Sequence, residues 1–208
     1  MKRFLFLIWI GCLYAFSVCA QGSVNQEKLK QQINAVALSM KSLQSDFVQT
    51  KYVKMLNDKM VSYGKMYYQQ ANKLRWEYTS PYSYTFVLNN NKVLLKKGTR
   101  SDVINVNQSK FFGEIARIMM NSVVGKCLTD SKSFKTSIAA SGSEYVATLL
   151  PQQKQMKQMF QKIILHISKT QLVITQVELL EKKGGRTVIV LKKIKKNAAI
   201  HASVFQVN

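Results

Sequence analysis

Short stretches of alternating apolar and polar residues make up most of the chain after residue 43. A period of two is typical of strands that bury one face. Turn-prone pairs such as Asn57-Asp58 and Ser80-Pro81 separate the stretches, and connections this short join antiparallel neighbours. The pattern predicts strands at 44–55, 60–70, 73–79, 83–89, 92–97, 133–140, 143–150, 160–167, 171–181, 186–195 and 202–207.

Two stretches with helical periodicity interrupt this pattern. Residues 25–42 predict an amphipathic helix capped by Asn25, and residues 109–121 predict a second helix capped by Ser109. The order lacks the regular strand–helix alternation of a doubly wound parallel sheet. We therefore predict an α+β fold in which helices cover the concave face of a large, strongly curved antiparallel sheet.

The N-terminus has the order of a secretory signal peptide. Lys2 and Arg3 precede an apolar run at 4–16, and small residues follow as far as Ala20. The run is about 13 residues long, whereas a membrane-spanning helix needs roughly 20. We expect residues 1–20 to be removed on export, leaving 21–208 as a single domain.

Two alternatives for this terminus stay open. The apolar run could remain as an uncleaved anchor, although its short length argues against that. A lipid could instead be attached to Cys19, but a bulky Val18 directly before the cysteine is unfavourable for lipid attachment. If residues 1–20 are removed, Cys127 is the one cysteine left, and we expect it to be a buried apolar residue.

The chain is strongly basic, with a formal net charge of +21 that loss of Lys2 and Arg3 would lower by two. This excess favours anionic partners such as phospholipid head groups, lipopolysaccharide phosphates or nucleic acid. Export makes nucleic acid the least suitable of these. The lysine-rich stretches 182–186 and 192–196 are typical of solvated faces, with an anionic membrane surface as the alternative.

No motif in the sequence indicates an enzyme, a metal site or a cofactor. The two histidines, His166 and His201, lie on separate predicted strands and match no zinc-binding spacing. Cys127 has no histidine nearby in sequence, and the ten carboxylates are scattered. Phosphate-binding glycine loops are absent as well.

Residues 43–81 carry a recognisable set of motifs. They resemble the outer-membrane lipoprotein carrier family LolA, whose members commonly read F-x-Q, then a glycine-led strand, then W-x-Y before T-x-P. The corresponding segments here are Phe47-x-Gln49, Gly64-x-Met66-x-Tyr68, Trp76-x-Tyr78 and Thr79-x-Pro81.

This resemblance implies an incomplete, unclosed β-barrel whose apolar inner face is covered by helices. Together with the strand pattern and the signal peptide, it leads us to expect a barrel of about 11 strands in the periplasm, acting as a monomer. In the family, the cavity accepts lipoprotein acyl chains from an inner-membrane ABC transporter and delivers them to an outer-membrane acceptor. The residues that we predict to line the cavity are Met40, Phe47, Met66, Tyr68, Leu74, Trp76, Tyr78, Phe86, Leu88, Ile115 and Met119. Alternating aromatics on strands are more often plain core, which is the alternative for this set.

One position departs from the family pattern. Proteobacterial members have an arginine, tied to ligand retention and release, in the turn after the second strand. Alignment on Gly64 and Trp76 places Gln70 there. An amide hydrogen-bonds but carries no charge, so a release mechanism that uses the arginine is in doubt.

Three functions fit these observations, the least favoured being a structural protein whose surface binds anionic polymers. The first is a periplasmic carrier that shuttles lipoproteins from the inner to the outer membrane. The second keeps the fold but makes the protein a lipid-binding, sensor or interaction protein that transfers no lipoprotein. The natural ligand, whether lipoprotein, phospholipid or another acylated molecule, is left open by the sequence.

Overall fold

The computed structural model describes residues 25–53, 58–70, 72–108, 118 and 120–207. The predicted signal peptide, most of the predicted helix 109–121, and the cavity candidates Ile115 and Met119 lie outside these residues.

The described residues form one long helix, α1, eleven strands and a short helix, α2. The first half comprises α1 Gln26–Ser39, β1 Ser42–Val53, β2 Asp58–Gln69, β3 Lys73–Ser80, β4 Tyr84–Asn89, β5 Lys92–Lys97 and β6 Arg100–Asn105. The second half comprises β7 Phe134–Ser141, β8 Glu144–Pro151, α2 Lys154–Met159, β9 Phe160–Ser168, β10 Ile174–Glu181 and β11 Arg186–Lys196. Residues 118 and 120–124 are also helical.

All eleven strands belong to one sheet, in the order β6-β5-β4-β3-β2-β1-β11-β10-β9-β8-β7. Neighbouring strands are antiparallel, and pairing of β1 with β11 joins the two halves of the chain at the centre. Within the described residues the edge strands β6 and β7 are not paired with each other, so the sheet is unclosed. The predicted α+β fold with an incomplete barrel is confirmed.

α1 forms where the sequence predicts it. The Asn25 side chain accepts a hydrogen bond from the backbone N–H of Lys28 at 3.0 Å, which caps the first turn. Leu29, Ile33 and Ala37 repeat at intervals of four and are buried on one helix face. α1 therefore covers part of the sheet.

Three local expectations differ from the structure. The predicted strand 202–207 is wrong, because Ala202–Phe205 is a 3₁₀ helix whose Phe205 is buried on the convex face of the sheet. β6 was not predicted, because its residues are mostly exposed and so show no alternation. α2 was not predicted either, since Met156 alone is buried in it.

A polar network lies on the convex face of β8–β11. Glu178 is 8% exposed and accepts two hydrogen bonds from Arg186, at 2.7 and 3.1 Å. His166 lies between two carboxylates, with one ring nitrogen 3.0 Å from Glu144 and the other 3.2 Å from Glu178. Burial raises the pKa of Glu178, but the hydrogen bonds and charges of Arg186 and His166 outweigh it, so the pKa is lowered.

We expect Glu178→Gln to destabilise the protein in a pH-dependent way. The folded pKa lies below the ordinary value of 4.5, so the ionised carboxylate contributes stability above that pH. That contribution is lost as the pH falls through the folded pKa. The expected cost at pH 7 is about 1–2 kcal/mol, measured by urea unfolding. Asp102→Asn, in the exposed pair with Arg100, is the control and should cost less than about 0.5 kcal/mol. An equal cost of Glu178→Gln at pH 7 and well below the folded pKa would contradict the assignment.

Candidate functional site

A cavity of about 270 Å³ lies between the concave face of the sheet and two helical pieces, the segment around residues 120–124 and α2. Its wall is almost wholly apolar. The described residues that line it are Gln49, Trp76, Tyr78, Ile118, Ser122, Val123, Met156, Met159, Phe160, Ile163, Val177, Leu179 and Ile189.

Cross-strand neighbours on four strands build the floor of this cavity. Gln49 of β1 pairs with Ile189 of β11, and Ile189 pairs in turn with Val177 of β10. Leu179 pairs with Ile163 of β9. Since side chains alternate between the two faces of a strand, these directly paired residues all point to the concave side. The cavity therefore crosses the β1–β11 junction between the two halves of the sheet.

The few polar groups in the cavity are mostly paired with one another. The hydroxyl of Tyr78 donates a hydrogen bond to Oε1 of Gln49 at 2.9 Å. Burial raises the pKa of Tyr78, which therefore stays neutral. With no charged side chain among its described lining, the cavity favours an uncharged, apolar ligand over an ionic one.

The size of the cavity fits part of an aliphatic chain. A dry apolar cavity of about 150 Å³ accepts benzene. Pockets for drug-sized ligands begin near roughly 300 Å³. At about 270 Å³ the cavity is larger than the benzene-binding cavity and close to the lower limit for drug-sized ligands. A segment of hydrocarbon can enter, but several complete acyl chains cannot without further opening.

The predicted site residues divide into three groups. Trp76 and Tyr78 line the cavity. Seven others are buried together in the adjoining core and are not among its lining residues: Met40, Phe47, Met66, Tyr68, Leu74, Phe86 and Leu88. Ile115 and Met119 lie outside the described residues. That these residues bind an acyl chain stays a prediction.

The core beside the cavity is built from cross-strand rows of the motif residues. Met66 pairs with Trp76, and Trp76 pairs with Phe86. The ring of Phe47 stacks on Trp76 with centroids 4.5 Å apart and meets Tyr78 edge-on at 5.2 Å. Phe47 lies over the paired Gly64, where a Cβ atom would collide with the Phe47 ring and the carbonyl oxygen of Glu77.

Most lining residues that the sequence did not indicate come from the second half of the chain. The recognisable motifs lie in residues 43–81 and so point only to the other half of the sheet. Alternation in β10 and β11 gave the parity of Val177, Leu179 and Ile189, but no signal paired them with Gln49. Met156 and Met159 belong to α2, which is too short for a clear helical pattern.

Gln70 connects the turn after β2 to α1. Its side-chain amide donates a hydrogen bond to the carbonyl of Leu38 at 3.1 Å, and its backbone N–H donates to the carbonyl of Lys41 at 2.8 Å. Carbonyls in the last turn of a helix have no partner within the helix. Gln70 therefore satisfies one of them and holds the turn against the helix end.

Neither a metal site nor a reactive thiol is found among the described residues. They contain no group of three or more His, Cys, Asp or Glu that could hold a metal ion. Burial raises the pKa of Cys127 to about 12, and the residue is 1% exposed. The expectation of a buried, apolar cysteine is confirmed. Across the same part of the chain, no helix has the length and hydropathy needed to cross a membrane.

Comparisons of the sequence with a family model and with a curated protein give the same family. Residues 38–208 match the family described as outer membrane lipoprotein carrier protein LolA. A protein named outer-membrane lipoprotein carrier protein, from Legionella pneumophila (strain Lens), is 28% identical over 205 residues, covering 98% of this chain and 94% of that protein.

Two solved structures share the fold at low sequence identity. A chain in the Pseudomonas aeruginosa MucA/MucB complex is 13% identical with a TM-score of 0.53, covering 87% of this chain and 61% of its own length. An uncharacterized conserved protein from Thermus thermophilus is 11% identical with a TM-score of 0.53, covering 86% of this chain and 92% of its own length. At such identities the likeness concerns the fold alone.

Proposed function

The chain belongs to the outer membrane lipoprotein carrier protein (LolA) family, and from this premise we propose that it is a periplasmic carrier that shuttles lipoproteins from the inner to the outer membrane. The observation that carries the proposal is the apolar cavity on the concave face of the sheet. A cavity lined in this way suits the acyl chains of a lipoprotein, which have no polar group to recognise.

Release, as much as binding, sets the requirements for such a carrier. Each methylene buried contributes roughly 0.8 kcal/mol, so several fully buried acyl chains would bind too tightly to be delivered. In the empty protein, the core and the helices pack closely against each other. Opening this state costs contacts, and that cost lowers the net affinity for acyl chains. The volume of about 270 Å³, which holds only a segment of hydrocarbon, supports such a closed state.

The buried residues beside the cavity are the surface that opening would expose. The seven predicted residues in the adjoining core include Met66 and Leu74, both 0% exposed. We infer that they contact acyl chains after the segment around residues 120–124 and α2 move away from the sheet. Methionine side chains adapt to variable shapes, which suits Met156 and Met159 to a wall that changes.

Gln70 holds the end of α1 more weakly than the family's arginine would. A guanidinium offers five N–H donors and a fixed charge, whereas the Gln70 amide offers two donors and no charge. The bond to Leu38 is the one side-chain hydrogen bond that Gln70 makes within the described residues. We infer that α1 is released from this turn without breaking a charge-assisted contact.

The partners follow from the proposed route. An inner-membrane ABC transporter supplies the lipoprotein, and an outer-membrane acceptor receives it. We expect residues 1–20 to be removed on export, which leaves residues 21–208 as the carrier domain. We expect the carrier to act as a monomer.

Displacement of a fluorescent fatty-acid probe tests this proposal. Purified residues 21–208 should bind the probe, and a triacylated lipopeptide should displace it at one lipopeptide per protein. The same peptide without acyl chains is the matched control and should displace nothing. The protein should also move a lipoprotein between two vesicle populations.

The outcomes separate the candidate functions. Absence of probe binding would overturn the carrier proposal. Displacement without transfer between vesicles would instead favour a lipid-binding or sensor protein of the same fold. Addition of salt should leave probe binding almost unchanged, because burial of apolar surface is not screened as charge attraction is.

A further inference from the structure

The cavity lies close to one end of the sheet, where several chain connections meet. β1 ends and β2 begins there, since Tyr52 pairs with Lys59. β11 also begins there, because Arg186 pairs with Tyr52. The backbone N–H of Lys182 donates to the carbonyl of Met159, which brings the β10–β11 turn to the end of α2. We call this the mouth end.

Large apolar side chains are exposed at the mouth end, directly beside the cavity. Met60 is 53% exposed and pairs with Lys51, two residues beyond the lining residue Gln49. Tyr82 is 43% exposed, and its ring lies 5.6 Å from that of the lining residue Tyr78. Met159 both lines the cavity and is 42% exposed. The cavity therefore reaches the surface at Met159, and Met60 and Tyr82 lie close to the lining residues Gln49 and Tyr78.

Basic side chains surround this apolar border. Lys59, Lys182 and Lys183 are exposed, and the ion pairs within the described residues include none of them. The exposed Asp58 precedes Lys59 and offsets one of these three charges. Lys51 and Arg186 also lie here, but Glu181 and Glu178 pair with them at 3.7 and 2.7 Å. The mouth end therefore carries unpaired positive charge next to exposed apolar surface.

This combination suits the interface of an anionic bilayer better than a protein partner. Tyrosine and methionine can enter the head-group region, and aromatic residues are enriched at that depth. Lysines near an anionic surface contribute about 1 kcal/mol each to binding. Protein–protein interfaces, in contrast, are depleted in lysine. The flexible lysine side chains can pair with lipid phosphates at many positions, because the head groups of a fluid bilayer are not fixed in place.

We propose that the mouth end docks on an anionic membrane surface, with Met60, Tyr82 and Met159 at the head-group level. The opening of the cavity then faces the membrane that holds the transporter or the acceptor, and an acyl chain passes between that protein and the cavity without exposure to bulk water. This route rests on the proposed carrier function, whereas docking itself needs only the exposed surface of the mouth end.

Vesicle flotation tests the docking. The protein, residues 21–208, should float with phosphatidylglycerol-containing vesicles, bind pure phosphatidylcholine vesicles much less, and lose binding as salt is added. Lys182→Glu combined with Lys183→Glu should weaken binding to the anionic vesicles by at least about tenfold. Met60→Asp should weaken it as well.

Matched controls lie at the opposite end of the sheet. Lys92→Glu combined with Lys195→Glu changes the net charge by the same amount, but Lys92 pairs with Asn89 and Lys195 with Gln44, away from the mouth end. Val103→Asp replaces an exposed apolar residue, 49% exposed, on the edge strand β6, where it pairs with Leu94. Both controls should bind vesicles like the unchanged protein.

Each outcome is assigned to one proposal. Probe binding without flotation, or equal loss in the mouth-end and control variants, would overturn docking and leave the carrier function standing. Flotation without probe binding would overturn the carrier function and leave docking standing. Binding of the mouth end to a membrane protein but not to lipid vesicles would overturn docking in favour of a protein partner.

Discussion

Val177→Trp is expected to weaken acyl-chain binding by about 50-fold while the protein stays folded. Val177 projects from the centre of the cavity floor, between Ile189 and Leu165 on its neighbouring strands. An indole there occupies the space of about three methylenes, and each methylene excluded costs roughly 0.8 kcal/mol of binding. Titration of a fluorescent fatty-acid probe measures the change in Kd, and thermal unfolding measures stability.

Val190→Trp is the matched control for this prediction. Val190 pairs with Val48 and Gln176 and sits one residue after Ile189, so its side chain points to the convex face. The control should bind the probe as the unchanged protein does. Unchanged probe binding by a folded Val177→Trp variant would mean that the ligand lies elsewhere and that the cavity is not the site.

Gly64→Ala is expected to lower the free energy of unfolding by about 3 kcal/mol. A Cβ atom at this position collides with the Phe47 ring and with the backbone oxygen of Glu77, and a backbone atom in the centre of a sheet cannot easily move. The Phe47 ring would have to leave its stack on Trp76. Urea unfolding measures the loss of stability, and tryptophan fluorescence reports the displacement of the Phe47 ring from Trp76.

Gly98→Asn provides the comparison for Gly64→Ala. Gly98 has a φ of +59°, an added Cβ atom there would meet no atom within 4 Å beyond its chain neighbours, and asparagine tolerates this conformation. The expected change is within about 1 kcal/mol, so it separates the steric effect from a general cost of replacing glycine. If Gly64→Ala were no more destabilising than Gly98→Asn, the close packing of Phe47 over Gly64 would not be a source of stability.

Packing around Gly64 gives a physical reason for the motifs that the sequence displays. Glycine at position 64 leaves room for an aromatic ring from the neighbouring strand, and aromatic residues commonly cover glycines in this way. Phe47, Trp76 and Tyr78 then form one aromatic group beside the cavity. The spaced aromatic residues are therefore both core and border of the site, which the sequence pattern could not separate.

The sequence predicts the lining of the cavity less completely than it predicts the fold. Trp76 and Tyr78 were recognised because they lie in a motif, and they do line the cavity. Phe86 and Leu88 have the same alternation on the next strand, yet they are packed in the adjoining core. Alternation reports which face a residue occupies, but not whether neighbouring side chains fill the space above it.

Local periodicity, short turns and motifs in the sequence predict ten of the eleven strands, the antiparallel neighbours, α1 with its Asn25 cap, and the family. Tertiary structure alone decided that β1 pairs with β11 and so brings Gln49 beside Ile189 and Val177. It also decided that the last residues form a 3₁₀ helix on the convex face instead of a strand. Long-range pairing of residues about 140 positions apart leaves no local pattern, and only packing in three dimensions selects it.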